Sequence, residues 1–96
     1  MPSNPDKKWF IMYDVSSEKR RNKIATLLAD FGFRLQKSVF QCRLSQKQFD
    51  TVRSRLSSLI DRKDSVIAVP VCEADMKQIH WLGQKNWSLS DKFFYL

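Results

Sequence analysis

The sequence predicts an α+β domain with the element order β-α-β-β-α-β. Two segments repeat apolar residues at helical spacing, and strand-like apolar runs stand before, between and after them. Ninety-six residues are also too few for two independent cores, which need about 100 residues each.

Residues 1–7 read as a frayed leader. Trp9-Phe10-Ile11-Met12-Tyr13 is a continuous apolar and aromatic run, the pattern of a central strand covered on both faces, and Asp14 and Val15 end it. Ser16-Ser17-Glu18 then starts a helix, with a hydroxyl to cap free amides and an acid in the first turn. Ile24, Leu27, Leu28 and Phe31 form one apolar stripe on that helix, and Gly32 stands where a left-handed C-cap is expected.

Residues 33–44 alternate like a strand, but the phase slips. Phe33 and Leu35 place apolar groups at odd positions, whereas Phe40, Cys42 and Leu44 place them at even ones. A one-residue shift swaps sheet faces, so a bulge, a kink or a tight reversal is expected near Gln36-Lys37-Ser38. Ser45-Gln46-Lys47-Gln48 matches a capping box, and Phe49, Val52, Leu56, Leu59 and Ile60 give the second helix its buried stripe. After the charged turn Asp61-Arg62-Lys63-Asp64-Ser65, Val66 to Cys72 reads as a strand. Pro70 assigns that strand to a sheet edge, because proline donates no ladder hydrogen bond. Ile79-His80-Trp81-Leu82 is read as a short further strand, and Phe93-Phe94-Tyr95-Leu96 as an apolar terminus in need of burial.

This order suggests a ferredoxin-like sandwich, a four-stranded antiparallel sheet with both helices on one face. The expectation is a single domain over 1–96 with its core at about 8–82. A C-terminal extension strand in the tail 83–96 is expected to pack on a partner subunit, since a symmetric dimer adds buried area to a small fold.

Seventeen Lys and Arg against ten Asp and Glu give a net charge of +7, which favours a polyanionic partner, nucleic acid ahead of a membrane surface. No run approaches the roughly 18 apolar residues of a membrane span. The first eight residues lack the layout of a signal peptide, so a cytoplasmic location is expected. Cys42 and Cys72 have no metal-ligand spacing and read as small buried hydrophobes.

Asp14 is the leading candidate for chemistry. A carboxylate where a central strand gives way to a helix can hold Mg²⁺ or Mn²⁺, and such ions activate water against a phosphodiester. The competing reading is an acid that supports the helix start. No second acid lies near it in a metal-binding pattern, so the same residue of a second subunit, water and substrate would complete the site.

Lys19, Arg20, Arg21 and Lys23 cluster one turn further on as a phosphate-gripping patch, because cations beside a first helical turn gain nothing from the helix dipole. Arg34, Lys37 and Arg43 extend positive charge onto the following strands, while Arg53 and Arg55 read as solubilising groups. His80 reads as a structural or surface residue, and Trp81 and Trp87 as packing residues. Two glycines leave no room for a phosphate-binding loop.

Taken together, Tyr13-Asp14-Val15, the Lys19–Lys23 helix start, the run from Gly32 to Cys42 and Asp64-Ser65-Val66 with Pro70-Val71-Cys72 resemble one family. It is the small CRISPR-associated Cas-two protein, the metal-dependent endonuclease that partners the Cas-one integrase, and the resemblance runs from about Trp9 to Gly83. It implies a ferredoxin-like homodimer in which the acid at Asp14 faces its mate across the twofold axis and binds the divalent metal. It further implies roles for Tyr13, Ser38 and Phe40 in catalysis and for Arg21, Lys23 and Arg34 in nuclease activity. Lys23 keeps the charge of the arginine some members carry there, without its bidentate geometry.

The resemblance also implies cleavage of RNA or DNA, and a scaffold role in spacer acquisition that holds protospacer DNA between integrase dimers. Two alternatives stand beside the enzyme: a non-catalytic dimeric scaffold, and a VapD-like toxin ribonuclease with the same fold and strand-end aspartate.

Overall fold

The structure, a computed structural model, describes residues 6–83. The strands and helices are β1 (Lys7–Asp14), α1 (Glu18–Ala29), β2 (Gly32–Gln36), β3 (Val39–Leu44), α2 (Gln46–Leu59), β4 (Ser65–Val71) and α3 (Glu73–Met76). The four strands form one antiparallel sheet in the order β2-β3-β1-β4. This is the ferredoxin-like arrangement, with β1 central and the proline-bearing β4 at an edge.

Helices α1 and α2 begin where the sequence says they should. The Ser17 hydroxyl accepts from the Arg20 amide to cap α1. At α2 the capping box is complete: the Gln48 amide donates to Ser45 Oγ at 3.1 Å, and the Ser45 amide to Gln48 Oε1 at 2.9 Å. Ile24, Leu27, Leu28, Val52 and Leu56 bury against Trp9, Ile11, Tyr13, Phe40, Cys42 and Leu44, so the core lies between the helices and one sheet face.

Alternation along β1 sends Lys8, Phe10, Met12 and Asp14 to the other face. Their cross-strand partners there include Val39, Gln41, Ile67 and Val69. Part of this second face is covered, since Lys8, Gln41 and Met76 are buried and Ile79 and Trp81 lie beside Phe10, Leu35 and Val39. Towards the β4 edge, Ile67 remains 57% exposed.

The phase slip resolves into both a bulge and a reversal. Arg34 pairs with Phe40 and Gln36 with Val39, so Leu35 is the extra residue and Lys37-Ser38 turn the chain.

Four expectations are corrected. The glycine is not a left-handed cap: α1 ends on Asp30 in right-handed conformation, and Gly32 opens β2 without a positive φ. Its small size is needed because a Cβ there would run into the Gln41 carbonyl and lie 2.6 Å from Cys42 Cα. Residues 79–82 form no strand, because they lie against the face of the sheet rather than along an edge. Cys72 is exposed, because β4 ends at Val71 and leaves it at the start of α3. The leader is shorter than expected, with β1 beginning at Lys7 and Lys8 buried. The extension strand, the apolar terminus and Trp87 lie at 84–96, outside the described residues.

Candidate nucleic-acid and metal site

Three pieces of chain meet where β1 ends: the β1–α1 turn, the Lys37-Ser38 reversal and the loop entering β4. Central position fixes Asp14 from both flanks. The amide of its neighbour Tyr13 donates to the Ser38 carbonyl at 3.0 Å, and Asp14 itself stands opposite Ser65. Its carboxylate is exposed on the second sheet face, with no hydrogen bond or ion pair to any described residue.

Tyr13 and Phe40 belong to the opposite face. Both are buried, with ring centroids 6.4 Å apart and the Tyr13 hydroxyl unpaired among the described residues. The Arg34 guanidinium lies over the Phe40 ring, 5.4 Å from its centroid. The four residues expected to share catalysis are therefore neighbours along the backbone, but their side chains divide between two faces. Asp14 alone is presented on the second face; Ser38 contributes its carbonyl to the main chain.

The basic cluster also divides. Arg20 donates from Nε to Asp64 Oδ2 at 2.8 Å and from Nη2 to Oδ1 at 3.2 Å. Arg21 Nη1 donates to the carbonyls of Val15 at 2.8 Å and Ser16 at 3.0 Å. These contacts explain cations at an unfavourable helix end: Arg20 has a carboxylate partner in the loop entering β4, and Arg21 has carbonyl partners in the turn itself. Lys19 and Lys23 are exposed and line a groove of about 640 Å³ between α1 and α2, together with Arg55 and Asp30. Arg34 and Lys37 are exposed as well.

Asp64 is the residue that reading the sequence passed over as part of a charged turn. Its side chain has no exposed surface, and besides Arg20 it accepts from the amides of Asp61 at 2.8 Å and Ser16 at 3.4 Å. The Arg20 hydrogen bond, reinforced by the Asp61 amide, holds its carboxyl below the usual carboxylate range. An aspartate immediately before a strand that pairs with the end of β1 was the available signal.

No cluster of three or more His, Cys, Asp or Glu among the described residues is arranged to hold a metal. The donor set nevertheless fits a hard cation in one restricted way: at the β1 exit each chain presents the Asp14 carboxylate, suited in kind but insufficient in number. A second copy of Asp14 would have to contribute.

The fold defines the chain as a ferredoxin-like α+β protein, with an exposed acid at the exit of the central strand and exposed cations on α1 and the β2–β3 hairpin. Comparison with known proteins gives the family. Residues 7–79 match the profile of CRISPR associated protein Cas2, and the chain belongs to that family.

A CRISPR-associated endoribonuclease Cas2 of Moorella thermoacetica is 42% identical over 64 residues, covering 62% of this chain and 67% of its own length. One from Synechocystis is 34% identical over 77 residues, covering 79% and 84%. Among solved structures, Streptococcus pyogenes Cas2 superposes with a TM-score of 0.73 at 32% identity, covering 79% of this chain and 99% of that one. A hypothetical protein of Thermus thermophilus gives 0.76 at 32% identity, covering 84% and 95%.

Proposed function

We propose that this chain is a divalent-metal-dependent endonuclease of CRISPR spacer acquisition, acting in the cytoplasm as a homodimer, with RNA as its substrate. The free Asp14 carboxylate at the exit of β1 carries the reading. The names of the Moorella and Synechocystis relatives support the nuclease class and the preference for RNA.

The second sheet face supports the dimer. Met12 is half-buried, Val69 is 39% exposed and Ile67 57% exposed, an apolar surface that a second copy would cover. Two copies related by a twofold axis on that face would bring two Asp14 carboxylates together. Mg²⁺ or Mn²⁺ held by them supplies charge neutralisation at phosphorus and a more acidic water.

The chain's own residues do the rest. Asp14 offers carboxylate oxygens at a fixed main-chain position, held by Tyr13, Ser38 and Ser65. Lys19, Lys23, Arg34 and Lys37 attract and orient the sugar–phosphate backbone, and Phe40 carries Arg34. Arg20 and Arg21 hold the turn beneath them.

One observation favours a scaffold role beside the catalytic one. With no group of three or more metal-ligating side chains among the described residues, metal affinity is low without substrate, whereas gripping protospacer DNA beside the Cas-one integrase needs only the dimer and its exposed cations.

The test is Asp14→Ala, assayed for Mg²⁺- and Mn²⁺-dependent cleavage of RNA and DNA and, separately, for spacer integration with the integrase. Cleavage falls at least 100-fold and integration persists. Equal cleavage by wild type and variant overturns the assignment.

A further inference from the structure

The structure assigns Asp64 a positioning role: with Arg20 as its counter-ion, it holds the β1–α1 turn that presents Asp14. This inference rests on the reading of Asp14 as the metal-binding acid.

The turn from Asp14 to Ser17 has few contacts of its own to fix it. Val15 is buried and anchors it to the core, but Asp14 and Ser16 are exposed. Its polar main-chain groups are held from outside. The Ser16 amide donates to Asp64 Oδ1, and the Val15 and Ser16 carbonyls both accept from Arg21. Asp64 Oδ2 accepts at 2.8 Å from both Arg20 Nε and the Asp61 amide.

One fully covered carboxylate thus joins the turn after β1, the first turn of α1 and the loop entering β4. Asp64 is also bonded in sequence to Ser65, the residue opposite Asp14. Any shift of the Asp64 carboxylate is therefore transmitted to Asp14 along two routes, through Ser16 and through Ser65.

A consequence separates this role from phosphate gripping. If Arg20 serves Asp64, its removal disturbs the acid and leaves affinity for nucleic acid alone. If Arg20 grips phosphate, its removal weakens nucleic-acid binding, while removal of Asp64 frees the cation and strengthens it.

The experiment uses the full chain with Arg20→Ala, Asp64→Asn, the double variant and Asp14→Ala. Three measurements are made: steady-state cleavage of single-stranded RNA, Mn²⁺ binding by electron paramagnetic resonance, and RNA binding in EDTA over a salt series. The positioning role gives about a tenfold fall in kcat and in Mn²⁺ affinity for each single variant. The double variant falls no further, because both substitutions break one unit. KM, RNA affinity in EDTA and the salt slope stay within twofold.

Where Asp64→Asn melts below the assay temperature, Arg20→Lys decides. Its ammonium can keep one bond to Asp64, and it recovers part of the kcat and Mn²⁺ affinity lost in Arg20→Ala. No recovery overturns the role. A fall in RNA affinity in Arg20→Ala, with the salt slope reduced by about one, also overturns it. Inactive Asp14→Ala beside fully active Arg20→Ala and Asp64→Asn removes the positioning role alone. Fully active Asp14→Ala removes the reading of the site and this inference with it.

Discussion

Trp9 and Phe49 stack with ring centroids 3.9 Å apart and planes 2° from parallel. The pair fastens the start of the central strand to the first turn of α2, at the end of the domain away from Asp14. Phe49 is only half-buried, so its contribution comes largely from the indole face it covers. Phe49→Ala lowers stability by about 2 kcal/mol and shifts the fluorescence emission of Trp9 to the red. Urea unfolding and emission spectra check both effects, and nuclease activity per folded molecule stays unchanged.

Gly32 and Gly83 are needed for different physical reasons, and their alanine variants separate them. At Gly32 a methyl group meets the main chain of Gln41 and Cys42, which cannot move without opening the β2–β3 ladder. Gly32→Ala therefore costs about 3 kcal/mol. Gly83 has φ of 87° and open space around it, so Gly83→Ala costs about 1 kcal/mol of backbone strain and no ladder contact. Denaturant melts read the difference directly.

The two cysteines differ sharply in reactivity. Burial pushes the Cys42 thiol up to about 12, so almost no thiolate forms at neutral pH. Cys72 is exposed, with its sulfur 3.3 Å from Asp75 Oδ2. A thiol reagent at pH 8 labels one site in the native protein, Cys72, and the second only after denaturation. Mass spectrometry of the labelled peptides checks the order.

Acid sensitivity follows from two carboxylates held below their ordinary range: Asp64 by Arg20 and Glu73 by Lys8, whose ammonium lies 2.9 Å away. Both groups bind protons more readily unfolded than folded. Their stabilisation is therefore full above the unfolded carboxylate range of about 4 and is lost as pH falls through the lower folded values. Asp64→Asn and Glu73→Gln each flatten the acid limb of the stability profile and leave the limb above pH 6 parallel to wild type.

Core and caps were legible in the sequence because each follows from spacing. The helix stripes, both serine caps, the central apolar strand and the edge strand marked by Pro70 all appear where periodicity and proline chemistry place them. The slip at 36–38 announced an irregularity, but periodicity counts residues and not hydrogen bonds, so it left bulge and reversal undivided. Helix α3 was hidden because four residues show no period.

At the site, Asp14 was visible from its place at a strand end. The use of Arg20 was not, because its partner lies 44 residues away and only the fold brings them together. Charge alone reads such an arginine as available, when its hydrogen bonds are already committed.

The spare residue in β2 has its own consequence. Upstream of Leu35 the hairpin keeps a guanidinium over an aromatic ring on the helical side. Downstream it turns within two residues and delivers a carbonyl to the exit of the neighbouring strand. A hairpin shortened by that single position would have to surrender one of these arrangements to preserve the other. The local irregularity is what lets one ribbon dress the helical face of the sheet and still lock its main chain to the neighbouring strand.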